Sequence, residues 1–463
     1  MLAACSRPPE KGRFAVLTFE NLTGDSSQDW IANAAPSIMA AELGGARGSS
    51  VGDAYIQNAT QIVHGYFTNR GFEISVEDTA RHKLSEPRQY RGELLAAMNM
   101  AAKAIAPSAR AFSTTREDAA EAWGRSEFEK AVAIDGDFGA AWLAWVEASI
   151  QHGDAQQAAS IADRALERPS LRSDLDRARI ELLAANLHGD SDARARAFAQ
   201  IAKLTKEPTA IAAYAEAELK VHDFESAIAA FQELLVQTPD NAAAMLTLGY
   251  TQAYAGQLEA AIATLEKYGK LPAQRTNSLD SIGEAYFMNG RFPEAEKFFL
   301  AAQQSNPQFG NSSMEFLKAA YAHWLAGDLK GADALASKSL RDPWHEACWL
   351  FATGREKEAV AKLQSAPDKK IVEHQMAIWN ATLPSDVSKL KALYERTPPS
   401  SDGQARVFYA AALAKAGQKE EARKLIGRWP LPIEQNVDQF SESLVFPNFL
   451  QVRQSTDHGP LAR

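Results

Sequence analysis

Small and aromatic positions recur every 34 residues between Pro208 and Phe309. Leu248-Gly249 coincides with Ile282-Gly283, Gly256 with Gly290, Ala261 with Ala295, and Leu265 with Phe299. One period earlier stand Ala227 and Phe231, and Pro239 lies two periods before Pro307. The pattern predicts helical hairpins. Gly249 and Gly283 let the first helix of a unit approach its neighbour, and Ala261 and Ala295 do the same for the second. Gly256 and Gly290 fall in the turn between them, where glycine accepts a positive φ at little cost. Pro239 and Pro307 stand between units, where a helix must end. A single hairpin cannot bury its own apolar face, so the units are expected to stack into one continuous core.

The helical texture extends from about Thr114 onward. Phe128 and Ala131 are spaced like the second helix of a first, partial unit. Trp142, Trp145, Gly153, Ala158 and Ala165 outline the next, and Gly189 with Phe198 a looser one. After Phe309 the phase slips, with Ala320, Gly327 and Ala332 following their counterparts at 37 residues. Gly354 and Ala359 mark a shortened unit, 368–380 and 385–396 read as a helix pair, and Ala410, Gly417 and Ala422 mark the last unit. Apolar residues in the tail (Phe440, Leu444, Phe446, Phe449) would cover the end of the stack.

The first hundred residues follow a different pattern. Phe14 to Phe19 is a short apolar, strand-like run, and Glu20 to Ser27 is turn-rich. Trp30 to Leu43 carries helical spacing at Ile31, Ala34, Ala35, Ile38, Met39 and Leu43. Gln61–Phe67 and Gly71–Val76 flank Asn69-Arg70 as a hairpin would. Glu93 to Ala106 closes the region as a helix. The expected divisions are a terminus and tether at 1–12, a small α/β domain at 13–111, a repeat array at 112–430 and a capping tail at 431–463.

A 34-residue period carrying Leu-Gly, then Tyr286, Gly, Ala, Phe299 and Pro resembles the tetratricopeptide repeat. The amino-terminal order resembles the TolB-type amino-terminal domain, through Val16-Leu17, Phe19-Glu20-Asn21, Thr23-Gly24-Asp25, Asp29-Trp30-Ile31-Ala32 and His64-Gly65-Tyr66. That family usually has another strand and helix after its first helix. Here the Gly44–Gly52 stretch leaves little room for them. Together the resemblances imply a mainly α fold, a tetratricopeptide-like α-solenoid of helical hairpins preceded by a small α/β domain. They also imply a partner-binding groove lined by first-helix positions. One unit would present Ala243, Leu246, Tyr250, Ala253 and Tyr254; the next Asn277, Asp280, Glu284, Phe287 and Met288; the third Met314, Leu317, Tyr321, Trp324 and Leu325. The alternative is that these aromatics pack against an adjacent turn of the array.

Composition removes several function classes. A net charge of −9 lacks the basic face that nucleic acid requires. No run of about 18 apolar residues is present. The two cysteines, Cys5 and Cys348, do not form a disulfide framework. His345 and Cys348 share a helix face, with Glu373-His374 nearby in sequence, yet no recognisable pair of metal ligands occurs. A buried thiol is the simpler reading. Neither a phosphate loop nor a hydrolase or zinc-protease motif is found, so no catalytic residue, metal or cofactor is assigned.

The start, Met1-Leu2-Ala3-Ala4-Cys5, resembles a bacterial lipobox, which implies lipidation of Cys5 after cleavage, although a basic and then apolar leader does not precede it. Two function classes follow. One is a non-enzymatic protein–protein interaction scaffold, lipid-anchored on the extracytoplasmic side of a bacterial membrane. The other is a cytosolic regulatory module of a signalling or transcription system.

Overall fold

The computed structural model describes residues 13–56, 59–307, 314–340, 343–370 and 386–396, with shorter stretches at 372–373, 375–376, 409–410, 412–414 and 416–426. Cys5, the tether and the 431–463 tail lie outside these residues, as does the end of the expected 368–380 helix, from residue 377 on. The chain divides into two compact units, the first running to Ala210 and the second from Ile211.

The first unit opens with a mixed sheet. Strands β1 (Phe14–Leu17), β2 (Glu20–Asn21), β3 (Ala46–Gly48), β4 (Gln61–Thr68), β5 (Gly71–Asp78), β6 (Lys83–Leu84) and β7 (Arg88–Tyr90) are interspersed with α1 (Asp29–Leu43), α2 (Val51–Ile56) and α3 (Leu94–Ile105). The sheet order is β3-β1-β4-β5-β6, with β2 also on β4 and β7 also on β5. β1 lies parallel to both β3 and β4, and β4 and β5 form the expected hairpin, closed by Asn69-Arg70. Alternation along the hairpin sends Val63, Phe67, Phe72 and Ile74 into the core beside α1 and α3. The opposite face is polar along much of its length, where Tyr66 donates to Glu73 at 2.5 Å and His64 meets Glu77 at 3.0 Å, and apolar at Ile62, which packs with Ala15, Ala54 and Ala59.

The Gly44–Gly52 stretch corrects the sequence reading. It does hold a further strand and helix, β3 and α2. Gly44, at φ 66°, ends α1 in a left-handed turn and feeds the chain straight into a three-residue strand. The Ser50 hydroxyl then accepts the Asp53 amide at 3.1 Å and starts a six-residue helix. Two elements fit because both are minimal.

Three hairpins complete the unit: α4 (Glu117–Gly124) with α5 (Phe128–Ile134), α6 (Gly139–Gln151) with α7 (Ala155–Leu166), and α8 (Asp174–His188) with α9 (Ser191–Thr205). The expected border at 111 is not a break in packing. One core runs from Val16 through α1 and α3 into α4–α8. Phe112 sits in it, 5.4 Å from Trp123 and 5.5 Å from Phe138 between ring centroids, while Arg125 lies over Trp30 of α1 at 5.4 Å.

Helix α10 (Pro208–Lys220) leads into the second unit, which holds α11 (Phe224–Gln237), α12 (Ala242–Tyr254), α13 (Leu258–Tyr268), α14 (Arg275–Met288), α15 (Phe292–Ser305), α16 (Met314–Leu325), α17 (Leu329–Ala336), α18 (Pro343–Ala352) and α19 (Glu356–Gln364). Beyond them lie α20 (Val387–Arg396) and α21 (Lys419–Ile426). The small positions do what their spacing predicts. A Cβ on Gly249 would lie 2.6 Å from Leu265, and one on Gly283 would lie 2.7 Å from the Phe299 ring. Gly256 and Gly290 take φ of 76° and 74° in the turns. Ala261, Ala295 and Phe299 are fully buried. The fold is thus a tetratricopeptide-like stack of hairpins, preceded by a small strand-containing region.

Candidate partner-binding face

Helices α12, α14 and α16 are the first helices of three consecutive hairpins, so equivalent positions fall on a common face. The structure divides the predicted groove residues by burial. Leu246, Tyr250 and Trp324 are half-buried on the edge of the core, as are Asn277 and Leu325, and Ala243 is exposed. Ala253, Tyr254, Asp280, Glu284, Phe287, Met288, Leu317 and Tyr321 are buried. Phe287 is fully inside, between Phe292 at 5.3 Å and Phe299 at 6.4 Å. Tyr254 packs towards Phe224, Met288 joins the same core, and Tyr321 meets Trp349 edge-on at 5.1 Å. These four are core side chains, a correction to the groove reading. An array built on small–aromatic contacts uses its aromatics to fill the space between helices.

Asp280 and Glu284 are buried for another reason: they belong to a charge cluster. Lys318 of α16 places its ammonium 2.8 Å from Asp280 Oδ1 and 2.7 Å from Glu284 Oε1. Glu315, one turn earlier on α16, lies 3.9 Å from the same nitrogen. From α12 the Tyr250 hydroxyl donates to Glu284, and it lies 3.0 Å from Ser281 Oγ. Beneath the ammonium is the Phe299 ring of α15, at 5.6 Å. All four charged residues are at most 7% exposed. One ammonium therefore faces three carboxyls where water is excluded, and Glu315 Oε2 has no hydrogen-bond partner.

The acid–base consequences follow from burial. Burial first, and the neighbouring Asp280 second, push the Glu284 carboxyl up to about 7. Burial pushes Glu315 up to about 9, against the attraction of Lys318. For Lys318 burial works against the charged form, but Glu284, Asp280 and Glu315 outweigh it and hold the ammonium protonated well beyond its ordinary range. Burial and the adjacent Glu284 likewise raise the Tyr250 phenol. The arrangement can hold protons and tie three helices together. It offers no nucleophile paired with a base.

Sequence reasoning reached Tyr250, Asp280 and Glu284 but missed Lys318 and Glu315. The phase slip after Phe309 obscured their alignment with α14. The available signal was a lysine inside the otherwise apolar run Phe316–Ala322, where a solvated side chain is out of place. Elsewhere, Cys348 is a buried free thiol as expected. Among the described residues no group of three or more His, Cys, Asp or Glu side chains could hold a metal, and no helix is long and apolar enough to cross a membrane.

Comparison with solved structures gives partial overlaps at low identity. The chain is similar to YrrB, a TPR protein with an unusual peptide-binding site, at 15% identity, over 42% of this chain and 97% of that one, with a TM-score of 0.33. It is similar to MamA at 17%, over 35% and 88%, with a TM-score of 0.30. A tetratricopeptide repeat protein from Parabacteroides merdae matches at 14%, over 51% and 96%, with a TM-score of 0.36. Among curated proteins nothing matches. Residues 218–277, from the end of α10 to the first turn of α14, match the family model described as tetratricopeptide repeat, and over that stretch the chain is built of such repeats.

Proposed function

We propose that this chain is a non-enzymatic protein-interaction scaffold that holds a peptide or partner helix along the first-helix face of its second unit. The observation that carries the reading is the set Leu246, Tyr250 and Trp324. Leu246 and Tyr250 on α12 and Trp324 on α16 stay half-buried, while Phe287 and Met288 of the intervening α14 are packed into the core. Aromatic side chains with one accessible edge on a rigid support are the groups partners dock against. The tetratricopeptide match over α11–α13 supports the same class. The net charge of −9 favours a protein partner over nucleic acid. We place the scaffold on the extracytoplasmic side of a bacterial membrane, held by a lipid on Cys5, on the strength of its first five residues alone.

Site-specific photocrosslinking in the native host tests the binding face. A crosslinker at Leu246 or Trp324 is expected to give an adduct of defined mass, and one at Val236, which is 83% exposed on α11, is not. Equal labelling at all three positions, or none, removes the face. Mass spectrometry of Cys5 in the same cells tests the anchor separately. An unmodified terminus in the soluble fraction leaves the scaffold but moves it to the cytosol.

A further inference from the structure

We propose that the Asp280–Glu284–Glu315–Lys318 cluster is a proton-operated lock, closing α12, α14 and α16 on one another while its carboxyls hold protons and releasing them as those protons leave. Three carboxyls surround one ammonium, each at most 7% exposed, at 2.7, 2.8 and 3.9 Å. A buried carboxylate without a compensating partner is strongly disfavoured, and the remedy open to it is to take up a proton.

Four helices supply the side chains around the cluster. Helix α12 contributes Tyr250, whose hydroxyl donates to Glu284. Asp280, Ser281 and Glu284 come from α14, the Phe299 ring from α15, and Glu315 and Lys318 from α16. Among the described residues no second cation is paired with these carboxyls, and no set of ligands suits a metal. Glu315 Oε2, buried and unpartnered, is the atom left over by that charge count. The raised carboxyls of Glu284 and Glu315 agree with it.

The direction is fixed by linkage. Opening gives each carboxyl ordinary solvation, so it releases the protons that the closed state retained. Raising the pH therefore favours opening. Because the lock joins the first helices of three consecutive hairpins, it acts on the whole face and not on a single helix end. The inference stands whether or not that face binds a partner.

Amide hydrogen exchange on the intact chain, expressed as protection factors so that the intrinsic pH dependence cancels, is the test. Between pH 7 and 9 the amides of α12, α14 and α16 are expected to lose about tenfold in protection per pH unit, the signature of one released proton. Glu315→Gln, which carries a permanently neutral side chain of the same shape, should flatten that dependence, so that its protection relative to the wild type grows ~100-fold from pH 7 to pH 9. Glu284→Gln should act below pH 7 and leave the upper interval unchanged. Wild-type protection that is flat from pH 7 to 9, or a slope that survives Glu315→Gln, overturns the lock.

Discussion

At the scale of single residues, the fold depends on side chains that are absent as much as on those present. Gly283 lets α14 lie against the Phe299 ring, which is itself fully buried and cannot step aside. Gly283→Ala is therefore expected to destabilise the second unit by about 1–3 kcal/mol, the range for overpacking a filled core, as read from urea unfolding. Gly290→Ala should cost about 1–2 kcal/mol by a different route, the left-handed backbone at φ 74°. Gly52→Ala, whose new Cβ would meet nothing nearer than Ser50 Oγ at 3.6 Å, is the neutral comparison. Lys318→Ala is expected to cost about 3–5 kcal/mol at pH 7, because it removes the cation that buried Asp280 and Glu284 share. A loss below about 1 kcal/mol would mean that the two side chains draw no net stabilisation from it. The glycines were legible in the sequence because a missing side chain repeats with the period. Lys318 was not, because a buried charge is defined by partners on another helix, 34 and 38 residues away.

Secondary-structure elements were legible in proportion to their length. The β4–β5 hairpin, α1 and α3 each carry enough residues for a period to show, and they lie where the pattern put them. β3 and α2, with three and six residues, carry too few. The polar segment that follows α3 shows how such pieces are fixed by specific bonds where periodicity is lacking. Arg110 donates its amide to the Glu42 carbonyl at 2.8 Å, and Phe112 donates to Glu42 Oε1 at 3.3 Å. The Glu42 side chain at the end of α1 is 2% exposed, and burial pushes its carboxyl up to about 7. A carboxyl raised on folding contributes stability that is complete below its unfolded value near 4.5 and is lost as the pH rises through about 7. The first unit should accordingly weaken between pH 5 and 8, by at most about 3 kcal/mol. Glu42→Gln should remove most of that dependence. Urea midpoints at the two pH values measure it, and an unchanged slope in the variant would place the titrating group elsewhere.

On the scale of the whole molecule, the sequence drew its border where the texture changes, near residue 111, whereas packing draws it at Ala210. Texture reports which elements form; it does not report which elements share a core. The strand-containing region and the first three hairpins bury one continuous cluster of side chains, and the later hairpins bury separate clusters of their own. Two compact units with separate buried acids predict two unfolding transitions with separable pH responses. Between pH 7 and 9 the transition of the second unit is expected to fall by ~5–10 °C. That follows from about one proton released over two pH units, roughly 3 kcal/mol, at the usual 2–4 °C per kcal/mol for units of this size. Over the same interval the first unit, whose Glu42 carboxyl is already ionising near 7, should move less. Calorimetry of the wild type, Glu42→Gln and Glu315→Gln decides the matter. If each variant protects one transition only, the two are independent folding units, and proton control in one leaves the other in place. A single transition, moved by either variant, would show that the division at Ala210 is one of packing but not of stability.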